Sequence, residues 1–234
     1  MLNLPNPRNS FYKGIFYPIL LWILFTPFSS KLDMHLSQFF YEQNSFSSNP
    51  IWQIFYIYGI WPAWISILIA CLGLGLSIFK KFRRFFRPCL FLVLTLAIGS
   101  GLLVHLGLKE HWGRPRPKQI EEFGGEQKFR PYYSPNFQMD YGPSKSFSCG
   151  HCSVGFYFFS LMLLGIYLRS NKVFWIGLGL SLFLGMGLSF ARIAEGGHFL
   201  SDTLASALIM WLTAWILAYF LLFKDVNNYE RTHS

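Results

Sequence analysis

Charge is scarce in this chain of 234 residues: Lys, Arg, Asp and Glu make up 13% of it, against about 25% in an ordinary soluble domain. Carboxylates are the scarcer kind, 11 against 20 Lys and Arg. Cysteine is nearly absent as well, and four residues exclude a scaffold built on disulfides. What fills the space is apolar: 53% of the chain is hydrophobic, with 26 Phe, 12 Tyr and 8 Trp. Such a composition excludes disorder. The formal net charge of +9 raises nucleic acid as a partner, but the basic residues sit between long apolar runs, so no nucleic acid is expected. The chain reads as an integral membrane protein whose surroundings are a lipid bilayer.

Crossing a bilayer core of about 30 Å takes roughly 20 apolar helical residues. Stretches without Asp, Glu, Lys or Arg mark six candidates, at 14–30, 43–79, 88–108, 146–168, 173–191 and 203–223. The second opens with a polar run from Asn44 to Pro50, so its helix is expected to start near Ile51. The first is short and interrupted by Pro18 and Pro27. Its end, Thr26 to Ser30, offers no small-x-small cleavage site, so it is kept as a span and not read as a signal peptide. No alternation of period two points to a barrel. The expected fold is all-α: one polytopic domain over 1–234, a bundle of six transmembrane helices.

Basic residues gather on the cytoplasmic side of membrane proteins. With both termini inside, the inner segments hold 11 Lys and Arg, from Arg8 to Arg231, against only Asp225 and Glu230. The outer segments then balance at nine basic and nine acidic residues. The whole excess lies on one face, and the cluster from Lys80 to Arg87 reads as a topogenic anchor. Twelve charges crowd between Lys109 and Lys145, in the one long loop, about 109–147, on the outer side. A loop of that length is usually functional or disordered.

Ionisable groups beside apolar helices are costly and so are functional candidates. Three clusters fall on the outer side. Lys109 to Pro117 closes the third span, Ser146 to Cys152 opens the fourth, and Ala191 to Asp202 joins the fifth to the sixth. Lys109, Arg116 and Arg192 supply three permanent positive charges suited to a phosphate dianion. His198 and Asp202 are four residues apart, which on a helix places them on one face, where a carboxylate can hold one ring nitrogen and expose the other. Gly150 opens a helix and can aim its N–H at an anion. His151 beside it can carry a proton to a leaving oxygen. The set reads as phosphoryl transfer through a histidine.

These residues resemble the type 2 phosphatidic acid phosphatase family, whose motifs are K-x6-R-P, P-S-G-H and S-R-x5-H-x3-D. Lys109, Arg116 and Pro117 match the first, Gly150 and His151 the second, and Arg192, His198 and Asp202 the third. The resemblance implies that His198 attacks phosphorus, that Asp202 orients and charges its imidazole, and that His151 protonates the leaving alkoxide and then activates water. Lys109, Arg116, Arg192 and the Gly150 N–H would hold the phosphoryl oxygens. No cofactor and no metal are implied. The chain departs from the family twice. Ser148-Cys149-Gly150-His151 puts a thiol where the family has a phosphate-contacting Ser, a weaker donor that Ser148 would have to supplement. Ala191 also replaces the Ser before Arg192.

Cys149 and Cys152 are also spaced as in thiol–disulfide enzymes, which makes a membrane oxidoreductase the rival from another class. It lacks the strand–helix context of such enzymes and leaves Lys109, Arg116, Arg192, His198 and Asp202 unexplained. His105 and His111 read as structural, Glu195 as a local partner of Arg192, and Cys71 and Cys89 as small buried hydrophobes. Trp52, Trp61, Tyr132 and Tyr133 are expected in the interfacial belt. A site at the ends of the spans meets lipid headgroups, so the substrate expected is a lipid phosphate. Within the family, the runs 113–125 and 196–202 look most like bacterial lipid A phosphatases. That likeness implies a multi-pass protein of a bacterial inner membrane with its site facing the periplasm. Undecaprenyl diphosphate, phosphatidylglycerol phosphate, phosphatidic acid and phosphotransfer to a second lipid stay open.

Overall fold

A computed structural model describes residues 7–138 and 144–224. Both termini, expected on the cytoplasmic side, and 139–143 of the long loop lie outside the described residues. Among the described residues, six helical segments are long and apolar enough to cross a membrane: Phe11–Phe39, Pro50–Leu76, Lys80–Lys109, Gly150–Tyr167, Asn171–Ala194 and Leu200–Phe223. The fold is all-α and polytopic. The only strands among the described residues, β1 (Tyr41–Glu42) and β2 (Ser45–Phe46), form a short hairpin after the first span.

The first span is the helix α1, Pro7–Phe39, which runs through Pro18 and Pro27 and well past the expected end at residue 30. The charge-free rule cut it short because Lys31, Asp33 and His35 lie within the helix, and Asp33 is fully buried there. Most of α1 faces outward, with Leu21 and Phe28 exposed by 67% and 63%, as a lipid-facing helix should. It is pinned to the sixth span by Trp211 and Trp215, whose Nε1–H groups donate to the carbonyls of Gly14 and Phe11 at 2.8 and 3.1 Å. Any Cβ at Gly14 would strike the Trp215 ring.

The second span is broken at Gly59 into α2 (Pro50–Tyr58) and α3 (Trp61–Leu76). The third starts with a 3-10 turn, Lys80–Phe85, continues as α4 (Phe86–Leu94) and ends as a π-helical stretch, Thr95–Lys109. The fourth, α5 (Gly150–Phe156) and α6 (Phe159–Tyr167), is the central one, with Tyr157, Leu163 and Leu164 in the core. It lies against α7 (Asn171–Ala194) through Gly165 and Gly177, where a Cβ would meet facing backbone at 2.3 and 2.2 Å. Small residues allow such close approach in membranes, where van der Waals packing drives helix association. The last span is α8 (Leu200–Ala218), finished by a π-helical turn at Tyr219–Phe223.

The long loop folds down onto the bundle. Ile120 and Phe123 pack with Phe199, and the backbone of Ser146 donates to the Arg114 carbonyl at 3.0 Å. Tyr132 is not in an interfacial belt. It is buried between Trp22 and Phe147, and its hydroxyl pairs with Thr26 Oγ1 of α1 at 2.6 Å. Trp61 and Tyr133 are exposed by 58% and 55%. Cys71, expected to be buried, is exposed on α3, and Cys89 is half-buried; in a bilayer the apolar environment lies outside the bundle as well as within it.

Candidate active site

One end of the bundle collects the three motif clusters. Lys109 ends the third span, Gly150 and His151 open α5, Arg192 lies in the last turn of α7, and Asp202 lies in the first turn of α8. Arg116 comes from the loop. Lys109, Arg116 and Arg192 are electrostatic neighbours, and His151 and His198 face the same positive charges. Burial, followed by repulsion from Arg192, holds the Arg116 guanidinium below its ordinary pKa. These cations crowd together where an anion would relieve them.

His198 is not on a helix. It precedes Phe199, the N-cap of α8, so the one-face geometry expected from its spacing to Asp202 does not apply. Its Nδ1 lies 2.6 Å from the Ser146 carbonyl, which fixes Nδ1–H as the donor and leaves Nε2 with its lone pair. Asp202 Oδ2 is 3.7 Å from Nδ1, beyond hydrogen-bond distance, and acts on the ring by charge. The orienting acceptor is thus the Ser146 backbone, a role the sequence reading had assigned to Asp202. Ser146 Oγ also donates to Asp202 Oδ2 at 2.6 Å, so one residue couples ring and carboxylate. Burial lowers the His198 pKa to about 4, opposed by Asp202.

Two residues outside the motifs complete the buried part. Arg114, fully buried, donates from Nη1 to Asp202 Oδ1 at 2.5 Å and from Nη2 to Asp33 Oδ2 at 2.8 Å. Its guanidinium also stacks over Phe199, 4.4 Å from the ring centre. Nothing local in the sequence marks Arg114 apart from Arg116, or ties Asp33 to either.

Tyr56 of α2 is a third residue that sequence reasoning missed. Its ring stacks on His151 at 4.5 Å between centroids, and the Arg192 guanidinium lies 4.7 Å from its centre. Arg192 is further held by Glu195 at 2.5 Å, the local partnership expected from the sequence. A Cβ at Gly197 would strike the Arg192 guanidinium at 2.2 Å, and one at Gly150 would strike the His105 ring at 2.4 Å. A side chain at Gly197 would displace the Arg192 guanidinium, and the His105 ring serves as the wall against Gly150.

Three donors at this end are buried without a hydrogen-bond partner: Arg116 Nε, Arg192 Nε and Ser148 Oγ. Unpaired buried polar groups are rare and cost about 1–3 kcal/mol each; Ser37 and Ser181 also carry one, but those on Arg116 and Arg192 belong to neighbouring cations, an arrangement suited to an anionic acceptor.

Cys149 and Cys152 form a disulfide. Cys149 Sγ therefore has no S–H to offer phosphate, and it accepts from the Cys152 N–H at 3.2 Å as the cap of α5. Both residues are fully buried, whereas thiol exchange needs an accessible sulfur. So short a ring is worth about 2 kcal/mol in chain entropy. Cys149→Ser with Cys152→Ala should therefore lower stability by no more than that and leave phosphate release within a few-fold of wild type. Loss of release in the folded double variant would give the disulfide a role in turnover.

Similarity to known phosphatases makes this a membrane lipid phosphatase. The chain belongs to the PAP2 superfamily, whose pattern it matches over residues 88–225. It is 30% identical over 217 residues to the lipid A 4'-phosphatase of Francisella tularensis subsp. novicida, covering 90% of this chain and 95% of that one. A 35-residue stretch is 63% identical to the lipid A 4'-phosphatase of Rhizobium leguminosarum, 15% of each chain. No solved structure matches the chain.

Proposed function

We propose that this chain removes the 4'-phosphate of lipid A, in the outer leaflet of a bacterial inner membrane, through a phosphohistidine at His198. The observation that carries the reading is the trio of unpaired donors, Arg116 Nε, Arg192 Nε and Ser148 Oγ, beside a buried histidine whose Nδ1 is already committed to a carbonyl. In this reading Lys109, Arg116, Arg192 and the Gly150 N–H hold the phosphoryl oxygens. Nε2 of neutral His198 attacks phosphorus, and the bond from phosphorus to the lipid oxygen breaks. His151 gives the leaving alkoxide its proton. His151 then takes a proton from water, whose oxygen attacks phosphorus. The P–N bond breaks, releasing inorganic phosphate and restoring the imidazole. Asp202 balances the charge that His198 gains. The lipid A assignment is supported by the names of the relatives, and the outer-leaflet placement by the charge asymmetry of the connecting segments.

The test is phosphate release by the purified protein, in chelator, from lipid A, undecaprenyl diphosphate, phosphatidylglycerol phosphate and phosphatidic acid. Lipid A should be the best substrate and lose its 4'-phosphate, and vanadate should inhibit. A preference for another lipid would replace the substrate; loss in chelator with rescue by one divalent metal would remove the histidine route. On intact cells, an impermeant thiol reagent should reach Lys128→Cys but not Lys81→Cys. Labelling at 81 would invert the orientation.

A further inference from the structure

We propose that Arg114 and Asp33 are positioning residues of this phosphatase, a clamp that fixes the first turn of α8 and presents charged Asp202 to His198 without touching substrate. The inference rests on the phosphohistidine reading above and names two residues outside its motifs.

Helix α8 begins without a side-chain cap of its own, since its N-cap is Phe199. Asp33 of α1 supplies the missing acceptor. Its Oδ1 accepts from the Ser201 N–H at 2.7 Å, and its Oδ2 accepts from Ser201 Oγ at 2.6 Å. A carboxylate at a helix N-terminus satisfies a free donor and meets the positive end of the helix dipole. Arg114 then bridges the two acids and adds a bond to Ser201 Oγ at 2.8 Å, while its Nε donates to the Arg130 carbonyl at 2.9 Å. With Oδ1 of Asp202 taken by Arg114, the oxygen left beside the imidazole is Oδ2. That oxygen is itself held by Ser146 Oγ and by the Phe199 N–H, at 2.6 and 2.8 Å.

The charges also have to be counted. Asp33, Asp202 and Arg114, all fully buried, sum to one negative charge, which faces a ring that becomes positive when it attacks. The other charged or titratable groups facing that ring are Arg192 from α7, Arg116 from the loop and His151 from α5. Without Arg114, two carboxylates would share one dry pocket, and one would take up a proton. A purely structural bridge would need no particular balance.

The experiment uses the full-length protein and the best substrate of the panel, with kcat, KM, the pH profile and a thermal melt read for each variant. Arg114→Met should lower kcat by about 100-fold, the cost of a small misplacement at a reacting centre, with KM nearly unchanged. Arg114→Lys should recover part of that loss. Asp33→Asn combined with Arg114→Met should turn over faster than Arg114→Met alone, because the pocket again holds one carboxylate. Asp33→Asn alone should move the acid limb of kcat/KM to lower pH, since the cluster of Asp33, Arg114 and Asp202 then carries no net negative charge to hold a proton on His198. If Arg114→Met does not fold, Asp33→Asn decides by its kcat and acid limb. Folded variants with wild-type kcat, or with changes confined to KM and the melt, would overturn the clamp. His198→Ala run alongside separates the two failures. If it is inactive while the clamp variants behave as wild type, only the clamp falls; if it turns over normally, the phosphohistidine reading falls and the clamp with it.

Discussion

Phosphate release should vanish in His198→Ala, and brief exposure of wild type to labelled lipid phosphate should leave label on a histidine. The expectation follows from the ring's surroundings. Nδ1 is committed to the Ser146 carbonyl at 2.6 Å, so Nε2 is the nucleophilic atom. Burial lowers the pKa to about 4, with Asp202 acting in the opposite sense, so the reactive neutral form prevails throughout the neutral range. The acid limb set by this group should therefore lie near pH 4, below the ordinary histidine value of about 6.5. Asp202→Asn should slow turnover by about 100- to 1000-fold, the loss of one preorganised electrostatic contact to the imidazolium, while the Ser146 carbonyl still fixes the ring and substrate still binds. Label found only on another residue, or normal turnover by the folded His198→Ala protein, would remove the mechanism.

Loss of a cation from the phosphate cradle should be nearly as severe. Arg116 keeps Nε buried and unpaired, although its proximity to Arg192 penalises its charge. A charge-assisted hydrogen bond to phosphate is worth about 1.5–3 kcal/mol. Arg116→Met should thus lower kcat/KM by about 10- to 150-fold for each such bond. Inhibition by vanadate should weaken by a similar factor, because both report stabilisation of five-coordinate phosphorus. Arg116→Lys should restore part of the charge but not the planar fork that binds two oxygens at once. A rise in KM alone, with vanadate inhibition intact, would place Arg116 on the ground-state headgroup.

The six spans and the convergence of the three clusters were legible because both are short-range patterns, a run of apolar residues and a fixed spacing of motif residues. Span ends were misread wherever a charge is buried in a helix, as Asp33 is in α1. The spacing of His198 and Asp202 suggested a shared helical face, but α8 starts at Leu200, and a residue before the N-cap obeys no helical period. Tyr56 looked like any aromatic of an apolar run, since only the fold brings α2 under His151 and Arg192. Arg114 was hidden among the charges of a loop, where sequence cannot tell a solvated guanidinium from one sealed by two acids. The disulfide was visible only as a spacing that two chemistries share.

The bonds from Asp33 to Ser201 span 168 positions of the chain, and they tie events that are far apart during synthesis. Helix α1 carries an acceptor, Asp33 Oδ1, whose donor arrives only when α8 is inserted. Helix α8, in turn, starts from a turn whose donor is met by α1. The segment that carries every family motif, 88–225, contains Ser201, Arg114 and Asp202 but not the carboxylate that joins them. The pocket therefore closes as a ring, α8 back onto α1. A shortened chain that inserts all the motif-bearing helices in the right orientation would still leave Arg114 one partner short in a place water does not reach.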